Sequence, residues 1–180
     1  AMSIDTVLPA LGLIGDGLGV VEENRRQLVV GVFFLGMAAA QILFGPLSDS
    51  LGRRPVLFAG VGVYVVGCLM SITATSFEMM LAGRLLQGLG AAAPRVIAVA
   101  IVRDRFEGRQ MAKTISLIMS IFITVPIFAP AIGQVVVAAT GWRGIFGMFL
   151  VMAATMVAWS ALRLPETLAP EHRHPLGFGR

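Results

Sequence analysis

Three polar side chains stand where the surrounding sequence offers no water. Asp5 lies in the apolar opening segment Ala1–Ile14, and Arg84 and Gln87 lie in the apolar run from Met79 to Val102. A charge near the middle of a bilayer costs about 2.5–3.5 kcal/mol on insertion scales, so such residues face protein or water. A carboxylate in apolar surroundings resists ionisation, and a neighbouring guanidinium favours it. Asp5 with Arg84 as its electrostatic partner is therefore expected to take up and release a proton as water access changes, with Gln87 offering a neutral hydrogen bond nearby. Other chemistry finds no residues to carry it. There is no nucleophile with a base, no metal-ligand cluster and no phosphate-cradling glycine loop followed by lysine, so neither an enzyme nor a cofactor is expected. Cys68 is the single cysteine and sits inside an apolar run, which excludes a disulfide framework within the chain. His172 and His174 stand in a polar tail without further ligands and are read as solvated, so no metal site is assigned.

The elements that must position these residues are membrane helices. Of the 180 residues, 57% are hydrophobic and 13% charged, and the mean hydropathy is +0.85, which excludes a water-soluble globule. The net charge of +4 comes from 14 Lys and Arg scattered between apolar runs, not gathered on one face, so nucleic acid is not expected as a partner. Five stretches reach the roughly 20 residues needed to span a bilayer: 28–47, 55–75, 79–102, 114–139 and 145–164. The opening segment is too short to span and reads as the second half of a helix. The chain begins Ala-Met, with no basic residue before Arg25, so residues upstream are expected.

Short cytoplasmic loops retain Lys and Arg. Nine basic residues fall in the loop around Ser48–Arg54, the loop 103–113 and the tail after Leu162, against three (Arg25, Arg26 and Arg143) on the opposite side. The first set, with the C-terminus, is expected to be cytoplasmic. Residues 1–164 read as a helix bundle and 165–180, rich in proline, as a linker.

The loop Gly45–Pro55 reads GPLSDSLGRRP. Gly45 and Pro46 are expected to loosen the end of one helix, Gly52 to permit the tight turn, and Pro55 to suit the first turn of the next. This segment resembles the signature G-x-L-x-D-x-x-G-R-[RK]-x of the major facilitator superfamily, found between its second and third transmembrane helices. Gly45, Leu47, Asp49, Gly52, Arg53 and Arg54 all fit. RLLQGLGAA (84–92) resembles the fourth-helix motif of proton-driven drug antiporters. APAIGQ (129–134) resembles the fifth-helix antiporter motif, with Ala129 and Gln134 in place of two glycines. IDTVLPAL (4–11) and PETL (165–168) are similar to the bicyclomycin-resistance (Bcr/CflA-type) branch of multidrug efflux proteins.

The resemblance implies an all-α, polytopic membrane protein: the six-helix N-terminal bundle of a major facilitator fold with its first helix truncated and a C-terminal six-helix half missing. It implies a secondary transporter in a bacterial inner membrane that exchanges small molecules for protons. It also places Asp49 and Arg53 in a charge cluster with Asp104 that latches one state. An importer of small metabolites and a non-transporting assembly protein are the alternatives. Asp5, Arg84 and Gln87 within spans argue against pure scaffolding.

At 100° per residue, Arg84 and Arg95 fall within about 20° of one face of the fourth span, with Gln87, Gly88, Ala91 and Ala92 between them. Arg84 lies about 10 Å below the outer boundary, near the roughly 14 Å expected for Asp5, and Arg95 about 27 Å in; for Arg95 a snorkelling or packing role is favoured over substrate contact, and for Arg84 the reverse. In the fifth span Pro126 and Pro130 are expected to bend the helix and Gly133 to permit close helix contact. Gln41 and Gln134 are secondary candidates for lining a polar cavity, and the ten Met and eleven Phe suit an adaptable apolar one.

Overall fold

A computed structural model describes residues 2–168. They form helices α1 (Met2–Asp5), α2 (Leu11–Gly17), α3 (Glu23–Arg26), α4 (Leu28–Leu51), α5 (Arg53–Ile72), α6 (Phe77–Arg105) and α7 (Gly108–Arg163), with a single 3-10 turn at Leu8–Ala10 and no strand among the described residues. Helix α7 is two membrane-length arms joined at Gly141, whose φ of 73° and ψ of −178° belong to a region open essentially only to glycine. A Cβ there would meet nothing within 4 Å, so the backbone angle and not crowding dictates the residue. The five expected spans thus fall on α4, α5, α6 and the two arms of α7, and the helices carrying them are long and apolar enough to cross a membrane.

The opening segment is a broken helix. Pro9 has no N–H to give, and the chain tightens around it: Val7 N donates to Ile4 O at 3.0 Å and Ala10 N to Val7 O at 2.9 Å before α2 begins. At the other motif the outcome differs from expectation. Gly45 and Pro46 do not end α4, which continues to Leu51, and the turn is made at Gly52 with φ of 102°. Ser48 Oγ and Ser50 Oγ donate back to the carbonyls of Gly45 and Leu47, at 2.9 and 3.0 Å, and hold the last turn together past the proline.

Helix α6 is the centre of the bundle, packed along α4 on one side and α5 on the other. Lipid tails are as apolar as leucine, so close backbone approach through small residues is what binds such helices. A Cβ on Gly88 would run into the carbonyl of Phe33 on α4. One on Gly67 of α5 would stand 2.6 Å from both Gln87 N and Gly83 O. The motif glycines of α6 are therefore the contact surface itself. Two apolar clusters fill the remaining space. One joins Val7, Ile14, Val29, Met80, Phe146 and Phe149 near the Ala74 end, and the other joins Val56, Leu57, Val61, Ala93, Ile97 and Ala153 near the Gly52 end. Gly133 packs against the backbone of Thr6, so its close contact is made within this chain.

Candidate functional site

Three arrangements of polar residues mark the bundle. The first is at the Gly52 end. Arg53, only 7% exposed, donates through Nε and Nη2 to the two oxygens of Asp104 at 3.0 and 3.3 Å. Its Nη1 pairs with Asp49 and donates to Ser48 Oγ at 2.7 Å. A fork of this kind suits the planar guanidinium and would not be reproduced by lysine. The sequence brings these residues together as expected: Asp49 sits four residues before Arg53 across the Gly52 turn, and Asp104 reaches it from the last turn of α6. Asp49 remains half exposed, whereas Asp104 is largely covered.

Glu166 completes this cluster and is a residue that sequence reasoning missed. Its carboxylate accepts from Arg53 N at 2.9 Å and Arg54 N at 3.1 Å, and from Thr167 N and Leu168 N at 3.1 and 3.2 Å. Helix starts leave four N–H groups without partners. Here all four are accounted for: Gly52 N donates to Ser48 O, Arg53 and Arg54 donate to Glu166, and Pro55 has none to give. Burial alone would raise the Glu166 carboxyl, but the backbone N–H groups of Leu168, Arg53, Arg54 and Thr167 outweigh it and hold the group below the usual carboxylate range. Residues 165–168, expected as the start of a linker, are thus fastened to the bundle. Arg54 lies over Phe58 and donates to Ala161 O at 2.9 Å. His172 and His174 lie outside the described residues.

The second arrangement surrounds Arg84, which is wholly buried. Nε donates to Val29 O at 3.0 Å, Nη1 to Gln87 Oε1 at 2.7 Å and Nη2 to Ser3 O at 3.1 Å, while the guanidinium lies 4.5 Å from the centre of the Phe33 ring. Gln87 Nε2 in turn reaches Cys68 Sγ at 3.1 Å, and Ser3 Oγ meets Tyr64 OH at 2.8 Å. The network ties α6 to α1, α4 and α5. It corrects the expected pairing: Asp5 forms no ion pair with Arg84, whose guanidinium is instead engaged by two carbonyls, a carboxamide and a ring. Arg84 and Gln87 are closed off by protein and do not line the open cavities described below.

The third arrangement is a pair of cavities of about 370 Å³ each on the face of α6 toward Arg95. Asp5 lines one, together with Phe33, Phe34, Met37, Arg95 and Phe122. Gln41, Asp49, Arg53, Arg95, Arg103 and Asp104 line the other. Gln41 also donates to Met37 O at 3.3 Å. Arg95 borders both and lies 5.9 Å from the Phe122 ring. Pro126 borders the Asp5 cavity on α7, whereas Gln134 stands exposed on α7 and does not join these residues. Among the described residues no group of His, Cys, Asp and Glu could hold a metal ion.

The sequence model of the Major Facilitator Superfamily matches residues 1–177, nearly the whole chain. The chain belongs to the major facilitator superfamily. Over 164 residues it is 32% identical to the multidrug resistance protein MdtL of Citrobacter koseri and 33% identical to that of Escherichia coli O81. Those alignments cover 91% of this chain and 42% of each relative, so the chain spans under half the length of the proteins it matches. Among solved structures, the human organic anion transporter MFSD10 (TETRAN) superimposes with a TM-score of 0.73 over 98% of this chain and 48% of its own, at 24% identity. That likeness concerns the fold alone. Within this facilitator chain, the Arg53 cluster occupies the turn between α4 and α5, and α6 carries both the Arg84 brace and the Arg95 cavity wall.

Proposed function

We propose that this chain forms the N-terminal half of a secondary transporter that exports small molecules in exchange for protons by alternating access. The Gly52 end faces the cytoplasm, consistent with the nine basic residues at and beyond that end. The observation that carries the reading is Asp5, an ionisable carboxylate that belongs to no ion pair among the described residues, set in a cavity lined also by three phenylalanines, two methionines and Arg95. Such a group is costly unless it is used. Asp5 is the carboxylate through which proton exchange is coupled to ligand entry in this reading.

The Arg53 cluster acts as the latch. Asp104, Arg53 and Ser48 fix the α4–α5 turn, and the half-exposed Asp49 is left to meet the positive end of a helix dipole in the opposite half. Rocking of the two halves breaks and remakes that contact while the bundle stays rigid. The relatives' description as multidrug resistance proteins supports small-molecule export as the direction and class. The test uses the protein expressed from its complete gene in proteoliposomes, with drug-driven proton movement as the readout. Asp5→Asn is expected to abolish proton coupling while a neutral ligand still binds. Coupling like that of the wild type in Asp5→Asn would remove Asp5 from the mechanism.

A further inference from the structure

The cavity that holds Asp5 also holds a cation that nothing above employs. Arg95 is exposed at its wall, and among the described residues it belongs to no ion pair, in contrast to Arg26 and Arg53. A snorkelling or packing role was expected for Arg95 ahead of substrate contact. Its guanidinium packs over Phe122 on α7 and also borders the Asp5 cavity. Asp5 likewise belongs to no ion pair among the described residues, so one cavity of about 370 Å³ presents one carboxylate and one guanidinium, neither of them paired there. Much of the remaining lining is apolar. Phe33, Phe34 and Phe122 offer flat faces and Met37 and Met119 offer adaptable ones.

Each feature selects a different part of a ligand. Guanidinium is the side chain that matches a planar carboxylate by paired N–H donors. A carboxylate at the other pole takes an ammonium or another donor. Ring faces and methionines take an aromatic body, and the volume lies in the range of about 300–1,000 Å³ usual for drug-sized ligands. We propose that Arg95 is a specificity-determining residue and that this cavity recognises amphoteric aromatic compounds, with the ligand's carboxylate on Arg95 and its cationic or donor group toward Asp5. The inference rests on the transporter reading and names its substrate class. A purely cationic ligand would satisfy Asp5 and leave Arg95 unpaired. A purely anionic ligand would do the reverse. Only a molecule carrying both charges satisfies both poles.

The test is equilibrium binding, without any gradient, to the protein expressed from its complete gene in lipid nanodiscs. Three probes separate the poles: norfloxacin, which is a zwitterionic aromatic, its ethyl ester, which keeps the amine but lacks the carboxylate, and ethidium, a permanent aromatic cation. A charge-assisted hydrogen bond contributes about 1.5–3 kcal/mol, so the wild type is expected to bind the zwitterion at least about tenfold more tightly than its ester. Arg95→Gln erases that difference and leaves the ester and ethidium within about twofold of their wild-type affinities, while Arg95→Lys restores part of it. Equal binding of zwitterion and ester to the wild type overturns the proposal. So does a preference that survives Arg95→Gln, an equal loss for all three probes, or binding of none. Failure of the transporter reading would appear elsewhere, as the absence of any drug-driven proton movement in proteoliposomes, and leaves this comparison intact.

Discussion

Removing the Glu166 carboxylate tests whether residues after the last helix hold the start of α5. In Glu166→Ala, the N–H groups of Arg53 and Arg54 lose their acceptor, and the first turn keeps only the bond from Gly52 N to Ser48 O. Loss of an ordinary N-cap costs about 1 kcal/mol, and bonds to a charged acceptor are stronger than neutral ones. Two such bonds are lost here, at a site partly open to water, so the expected cost is about 2 kcal/mol, or roughly thirtyfold in local opening. Glu166→Gln retains an acceptor oxygen without the charge and is expected to lose about half as much. The assay is amide hydrogen exchange at Arg53 and Arg54, corrected for intrinsic rates, with the protein from the complete gene in nanodiscs. The pH dependence has a definite sign. A carboxyl held below its ordinary value by folding contributes fully above that value and loses its contribution as pH falls through the depressed one. Protection in the wild type should therefore hold steady down to the usual carboxylate range and fall only below it, and in Glu166→Gln that fall should vanish. Unchanged protection of the two amides in Glu166→Ala, or a wild-type transition near neutral pH, would refute the capping argument.

Asp104→Asn strips the shielded Arg53 of its bidentate partner and should lower bundle stability by about 2 kcal/mol, while the half-exposed Asp49→Asn should cost less than about 1 kcal/mol yet weaken transport more. Thermal unfolding and efflux, measured side by side, separate the two, and equal effects on stability would sink the distinction. Gly88→Ala drives a methyl into the Phe33 carbonyl and should destabilise by about 1–3 kcal/mol. Gly147→Ala, which meets nothing within 4 Å, should be neutral or stabilising by up to about 1 kcal/mol, so a similar melting temperature for both would contradict the packing account. Arg84→Lys keeps the charge but cannot reproduce the fork that reaches Val29 O, Ser3 O and Gln87 Oε1, and should cost about 2–4 kcal/mol. A wild-type unfolding temperature in that variant would show that the charge alone suffices.

The spans were legible because apolar length fixes a membrane helix. The Arg53 cluster was legible through the resemblance of Gly45–Pro55 to the family's signature loop, since Asp104 stands 51 residues from Arg53 and no local spacing points to it. The Arg84 partnership was not legible. Asp5 and Arg84 were matched by depth, but depth leaves the rotation of a helix undetermined. The break at Pro9 and the packing of Met2–Asp5 turn Ser3 O toward Arg84 and Asp5 toward the Arg95 cavity. A helical wheel also placed Arg84 and Arg95 on nearly one face. Around Arg84 that face is closed by α1 and α4, whereas at Arg95 it remains open, and a wheel contains no neighbours that could reveal the difference.

A signal for Glu166 did exist in the sequence. Helix α5 starts Gly-Arg-Arg-Pro, with no Ser, Thr, Asp or Asn to cap it and two like charges at the positive end of its own dipole. A start so poorly provided for needs an anion from elsewhere. The same logic holds at the opposite end. There Arg143 donates through Nε to Ile72 O and through Nη2 to Ala74 O, both at 3.0 Å, and lies 4.0 Å from the Trp142 ring. A cation thus meets the negative end of α5 and a carboxylate its positive end. Both come from the two ends of the second arm of α7, Arg143 in its first turn and Glu166 just after it. Helix α5 is therefore held at its two termini by a single partner, with Val61 and Ala153 in the apolar cluster between them. This arrangement fixes the axial register of α5 against α7, because a slide in either direction would lengthen the bonds at one end and compress those at the other. Rigidity of this kind is what a rocking mechanism requires. Under the proposed mechanism the α4–α5 turn would transmit an opening of the latch only if α5 itself does not slip, and the charge-assisted hydrogen bonds at its two ends oppose that slip.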